Sequence, residues 1–248
     1  MIPPIINNDA TINTNQTHAI IKCITINAFS ASKLTDGKPT LIPRGNGGTQ
    51  IYGDLSGLLL GMHHFNNGIG TVVPRIADMH ERCPIRFALE NTYDSESSQA
   101  VAVQRFGNEI IDHPDRPPGT LFGAWRSAVS IPLAFMSAAY EVPQISPLST
   151  STELDDPNQY KYFGRLIPSD AGTALAVVDY LDSLGVKHFG MFYVNDSYGS
   201  AFHQAILETA YLSRPEGERL QVKGNPFSYN NNLAPEDVSR DIDLQVQQ

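Results

Sequence analysis

The chain has 248 residues, 17 Lys and Arg against 26 Asp and Glu for a net charge of −9, and 41% hydrophobic residues, which is ordinary for a globular protein of one large domain or two small ones. The acidic balance argues against nucleic acid or an anionic membrane as a main partner. No run approaches the ~20 apolar residues of a membrane span, and the opening MIPPIINNDATINTNQ lacks the basic-then-apolar order of a signal peptide.

Residues 1–17 are Asn- and Thr-rich with Pro3 and Pro4, and read as a disordered N-terminus. Residues 18–29 read as the first strand, and 30–53 as a long Gly/Pro loop. The R-G-N-G-G within it, at 44–48, lacks the G-K-S/T ending of a phosphate-binding loop. Asp54 is a candidate cap for a helix with Leu55, Leu58, Leu59, Met62 and Phe65 on its apolar face, stopped by Asn67 and Gly68. Residues 84–90 form the second expected strand. Ser95 then caps a helix to Gly107, with Ala100, Val101, Val103 and Phe106 apolar.

The D-H-P-D-R-P-P-G loop at 112–119 leads into a strand end at 121–123. A helical pattern starts at Ser127 and carries Ile131, Leu133, Ala134, Met136 and Tyr140. A second short strand at 142–145 runs into the hydroxyl-rich turn Ser149, Thr150, Ser151, Thr152. Residues 161–167 are extended, and Ser169 and Asp170 cap a helix over 171–184 with Leu175, Val178, Leu181 and Leu184 on one face, ended by Gly185. There follow a buried-type strand at 186–194, an amphipathic helix at 199–212, a weak strand at 220–223 and the start of a helix at 235–248. Alternating strand and helix predicts an α/β protein with parallel sheets. Ligands of such sheets sit beyond the carboxyl ends of the strands, at the turns into helices. Ser127, Thr150, Asp170 and Tyr198 all fall at those turns.

Other chemistry finds little support. Cys23 and Cys83 lie in and just before the first two strands, where a bridge and two buried free thiols are both open. His63 and His64 are adjacent and do not share a helix face. His80-Glu81-Arg82-Cys83 has no second pair at zinc-site spacing. With no G-x-S-x-G and no G-x-G-x-x-G, neither an enzyme nor a cofactor or metal site is expected.

Five strings together carry a resemblance: G-A-W-R-S-A-V at 123–129, V-P-Q-I-S at 142–146, S-T-S-T-E-L at 149–154, Y-K-Y-F-x-R-L-I-P-S-D at 160–170 and N-D-S-Y-G at 195–199. They resemble the receptor branch of the type I periplasmic-binding-protein fold, the ligand-binding region of class C G-protein-coupled receptors and natriuretic-peptide-type cyclase receptors. Metabotropic glutamate receptor ectodomains look most similar. The resemblance implies a two-lobed, Venus-flytrap α/β fold: a first lobe over 18–164, a hinge near Gly164, and a second lobe over 165–248 that is incomplete, so that the chain reads as part of a longer protein. It also implies a small amino-acid-like ligand between the lobes, signalling by cleft closure, a homo- or heterodimer through the first lobe, and a place on the extracellular face of a membrane, reached only through segments outside this chain. A soluble solute-binding protein of a transport system is the alternative.

The resemblance also assigns roles. Ser127 and Thr150 would hold the ligand's carboxylate, and Asp170 and Tyr198 its ammonium, the latter through a cation–π contact. Read from the residues alone, each has a plainer use: Ser127 or Ser130 as a helix cap, Thr150 in a turn, Asp170 as an N-cap, Tyr198 as packing. Trp125 and Arg126 replace the family's small residues ahead of Ser127. Trp125 would wall the pocket, and Arg126 would either reach a second acidic group or point into solvent. Leu148 stands where the glutamate receptors carry a hydroxyl.

Overall fold

The computed structural model describes residues 22–30, 34–35, 38–39, 48–212, 215–217 and 219–227. The expected disordered N-terminus, the first four residues of the expected first strand, most of R-G-N-G-G and the helix expected at 235–248 lie outside the described residues.

Strands β1 (Lys22–Ser30), β4 (Ile85–Asp94), β5 (Thr120–Phe122), β6 (Gln144–Ser146) and β7 (Phe163–Arg165) form one parallel sheet in the order β4-β1-β5-β6-β7. The chain first steps from β1 outward to β4, then returns to the other side of β1 with β5. That reversal is a topological switch point, where parallel sheets open a crevice at their carboxyl ends. Helices α3 (Gln99–Asp112) and α4 (Ser127–Ala139) cover one face. Phe29, Phe106, Leu121, Val129, Leu133 and Val142 make the core there. Phe106, Leu121 and Leu133 are fully buried, each contributing about 1.5–3 kcal/mol of transfer free energy. Gly107 lets the two helices meet, since a Cβ there would stand 3.1 Å from Met136 Cε. A short antiparallel pair, β2 (Leu34–Thr35) with β3 (Lys38–Pro39), lies within the expected Gly/Pro loop.

Helix α1 (Gly48–Asn67) lies over the opposite face of the sheet, and α2 (Arg75–Arg82), which the sequence pattern did not signal, packs on it. Because α1 begins at Gly48, Asp54 is inside the helix and does not cap it. Its stop at Asn67 and Gly68 is as expected, Gly68 taking a φ of 65°. Asn66 blunts the open edge of β4, donating to the Phe87 carbonyl at 2.7 Å and accepting the Phe87 N–H at 2.9 Å.

Both ends of α3 differ, and so do the cysteines. Ser98, not Ser95, caps α3, because Glu96 and Ser97 hold positive φ and cannot begin a helix. The helix also runs past Gly107, burying Ala102, Phe106, Glu109 and Ile110, so that of the expected apolar residues Ala100, Val101, Val103 and Phe106 only Phe106 is buried. Cys23 and Cys83 are free thiols, and Cys23 is exposed, not buried.

After β7 the chain builds a smaller layer. Among the described residues it holds two parallel strands, β8 (His188–Val194) and β9 (Gln221–Phe227), covered on one face by α5 (Asp170–Ser183) and α6 (Ser197–Leu212). Val178, Ala174, Ile206 and Ala210 are its buried centre, while Leu175 and Leu184, expected on the buried face of α5, are exposed. Nor is β8 buried on both faces: its residues alternate between exposed and half-buried. His203 of α6 stacks on Tyr193 with ring centroids 4.6 Å apart. A Cβ on Gly224 would meet its Nε2 at 2.1 Å, and that nitrogen has no hydrogen-bond partner among the described residues.

Burial pushes His203 below the ordinary imidazole pKa. The folded state therefore binds its proton less readily than the unfolded chain. Its contribution to stability is complete above the unfolded value of about 6.5 and is lost as pH falls below it. Urea midpoints of the wild type should fall between about pH 7.5 and about pH 5.5 more steeply than those of His203→Gln. Parallel pH profiles for the two proteins would exclude this role.

Candidate functional site

Three strand-to-helix turns meet at the carboxyl ends of β5, β6 and β8. The first, 123–126, leads from β5 into α4. Its backbone is pinned from inside: Ser130 and Ser146 both donate to the Ala124 carbonyl, at 3.0 and 2.7 Å, Ser149 donates to Ser130 Oγ at 2.7 Å, and Gln144 Nε2 donates to the Gly123 carbonyl at 2.8 Å. Ser130, Ser146, Ser149 and Gln144 are fully buried, and the turn they hold satisfies the three hydroxyls and Gln144 Nε2, while Gln144 Oε1 has no partner among the described residues. Gly123 is required here. Its φ is 113°, and a Cβ would meet the Phe29 carbonyl oxygen at 2.4 Å.

Ser127 is the first residue of α4, not its cap; Arg126 occupies the cap position without a side-chain cap bond. The buried Ser127 Oγ instead accepts the backbone N–H groups of Thr150 and Ser151, both at 3.1 Å. With both lone pairs engaged, its O–H proton is the part left to give. The second turn, after β6, is thereby tied to the first. Arg165 of β7 ties it again. Its Nη1 donates to the Ser149 and Ser151 carbonyls at 3.3 and 3.0 Å, and its Nη2 pairs with Asp155 of the 3₁₀ turn Thr152–Asp155. Burial lowers the Arg165 pKa while Asp170 nearby opposes that shift.

Asp170 opens α5, and its N–H donates to the Thr150 carbonyl at 2.9 Å. Ser169 is the cap, accepting from the Ala171 N–H at 3.3 Å, so Asp170 is freed from the capping use that its position suggested. It is 7% exposed, and its Oδ2 has no hydrogen-bond partner among the described residues.

The third turn joins β8 to α6. Tyr198 comes from this turn to lie beside Thr150 and Asp170, and burial first, then the Asp170 carboxylate, raises the phenol's pKa. Asp196 caps α6 with Oδ1, accepting the Gly199 N–H at 2.9 Å, while its Oδ2 takes Arg126 Nη2 at 3.1 Å. Thr152 Oγ1 donates to the Ala201 carbonyl at 3.4 Å.

Ser127, Thr150, Asp170 and Tyr198 thus sit in one linked cluster, with half-buried Trp125 and exposed Arg126 at its side. Sequence reasoning did not single out Arg165, Asp155, Asp196 or Ser146, and it read Ser130 and Ser149 only as a possible cap and a turn residue. Arg165 and Asp196 lay inside the quoted strings; charge within a matching string was the signal for both.

A separate cavity of about 510 Å³ lies between α1 and the sheet, lined by Ile26, Leu58, Met62, Phe65, Phe87 and Leu166 among others. Its wall is almost wholly apolar and holds no charged group, so it cannot compensate the desolvation of a charged ligand.

A family profile described as "Receptor family ligand binding region" matches residues 72–243. Metabotropic glutamate receptor 4 of Rattus norvegicus is 35% identical over 102 residues, which is 41% of this chain and 11% of the receptor. Metabotropic glutamate receptor 8 of Homo sapiens is 34% identical over 124 residues, 48% of this chain and 14% of the receptor. Metabotropic glutamate receptor 6 of Oryctolagus cuniculus is 35% identical over 95 residues, 38% of this chain and 11% of the receptor. The matches span only these small shares of the curated relatives' length. No helix of the described residues is long and apolar enough to cross a membrane.

Proposed function

Because the chain belongs to the family of receptor ligand-binding regions, we propose that it binds a small amino-acid-like zwitterion between two lobes, divided near Gly164, and signals by closing them on it as the ectodomain of a membrane receptor. The observation that carries this reading is the meeting of Ser127 and Thr150 with Asp170 and Tyr198 across the turns of the two sheets.

The division of labour follows from the chemistry. The first N–H groups of α4 have no intrahelical acceptor and carry partial positive charge, which suits a carboxylate. The Ser127 and Thr150 hydroxyls add donors on the same side. Asp170 supplies a buried carboxylate oxygen still open to a donor, and the Tyr198 ring offers its face to an ammonium. A zwitterion satisfies both ends; an uncharged or purely anionic ligand leaves the open Asp170 oxygen without a charged donor. Closure is driven only by contacts stronger in the closed state, and the contacts of Tyr198 exist only when the β8–α6 turn reaches the first lobe.

Calorimetric titration with glycine, glutamate and γ-aminobutyrate tests the class. Ser127→Ala should weaken the binding of whichever responds about 10-fold or more, since a hydrogen bond to a charged group contributes about 1.5–3 kcal/mol. No heat with any amino acid, from protein shown to be folded, would overturn the reading.

A further inference from the structure

Arg126 and Asp196 are 70 residues apart in sequence and belong to different sheets' turns, yet their side chains form a direct ion pair at 3.1 Å. Arg126 projects from the cap position of α4, one residue ahead of Ser127. Asp196 is held from behind, because its other oxygen caps α6. The carboxylate is therefore rigid and 17% exposed, and the guanidinium comes to it on a flexible stem that is 41% exposed. Among the described residues this is the one ion pair that joins the β5–α4 turn to the β8–α6 turn.

We propose that the Arg126–Asp196 ion pair is an interlobe latch that holds the cleft closed on its Trp125 side without ligand. This rests on the two-lobed reading above, though not on any particular ligand. The pair forms only when α6 reaches α4, so its free energy belongs entirely to the closed state. A ligand with one carboxylate leaves the latch in place. A ligand with a second acidic group, to use Arg126, has to displace a tethered competitor in Asp196. An exposed pair of this kind shifts an equilibrium by about 2- to 5-fold, and by less in high salt.

Trp125 is the only tryptophan of the chain and adjoins Arg126, so acrylamide quenching of its fluorescence reads the latch in ligand-free protein. Arg126→Gln keeps the stem, and Asp196→Asn keeps a good helix cap. Each should raise the quenching constant by about 1.5- to 2-fold in low salt, and the double variant should be no higher than either single one. Raising NaCl from about 0.05 M to about 1 M should bring the wild type up to the variants and leave the variants unmoved. The radius of gyration from small-angle scattering should rise with the quenching. A change in Arg126→Gln alone would mean only local unmasking of Trp125 and would overturn the latch. So would additive effects in the double variant, or altered quenching at constant radius. Loss of amino-acid binding would defeat the ligand proposal and leave these ligand-free outcomes as they stand.

Discussion

Gly199→Ala is expected to unfold the β8–α6 turn and to cost about 3 kcal/mol or more, at the upper end of overpacking. Gly199 is buried in the first turn of α6. A Cβ there would stand 2.1 Å from the Val194 carbonyl oxygen, 3.0 Å from its carbon and 3.1 Å from its nitrogen. The obstruction is backbone, and Val194 is paired with Phe227 in the β8–β9 ladder, so the strand cannot yield without losing its partner. The helix must move instead. That movement breaks the bond from the Gly199 N–H to Asp196 and draws Tyr198 away from Thr150 and Asp170. Urea unfolding measures the cost, with Ser200→Ala as the exposed neighbour expected to stay within about 0.5 kcal/mol of wild type. A Gly199→Ala midpoint equal to that of Ser200→Ala would mean that the turn has slack these contacts do not reveal.

This glycine also marks what the sequence could carry. The N-D-S-Y-G string placed a turn and a helix start correctly, because a polar cap followed by apolar residues at helical spacing is a local signal. The strands of the parallel sheet were legible for the same reason, as short extended runs between turn residues, although β6 (Gln-Ile-Ser) and β7 (Phe-Gly-Arg) are half polar. What each helix buries was less legible. In α5 the apolar residues Leu175, Val178, Leu181 and Leu184 are at helical spacing, yet the packed face is Ala174, Val177, Val178 and Leu181. Ala174 packs against α6 while the larger Leu175, one position on, stays exposed, and only tertiary contact decides that. Asp54 and Ser95 are acceptable caps in isolation. They lost to a helix that starts earlier and to positive φ at Glu96 and Ser97, neither of which composition reveals. At the candidate site, the residues at the turns were visible from position. Their supports were not, because Arg165 reaches Ser149, Ser151 and Asp155 across strands that pair only in the fold.

Arg165→Ala is expected to produce the other large loss, about 3 kcal/mol, because two buried carbonyls lose their charged donor at about 1–3 kcal/mol each. The Arg165 side chain is 13% exposed and Asp155 is 40% exposed, so the aspartate can regain water and is the smaller part of the cost. The larger part is the Ser149 and Ser151 carbonyls, which lose their donor in a turn whose own side chains are buried. Asp170 loses its cationic neighbour at the same time. Thermal and urea unfolding should both register the change. Arg165→Lys should recover less than half of it, because one ammonium cannot span two carbonyls and a carboxylate as a planar guanidinium does. The site should suffer beyond the stability loss. With the hydroxyl turn no longer held from β7, the Thr150 and Ser151 N–H groups drift from Ser127, and amino-acid affinity should fall at temperatures where the variant is still fully folded. Affinity unchanged in folded Arg165→Ala would show that the bonds to Ser127 alone fix the turn, and that Arg165 only fastens the edge strand to the 3₁₀ turn.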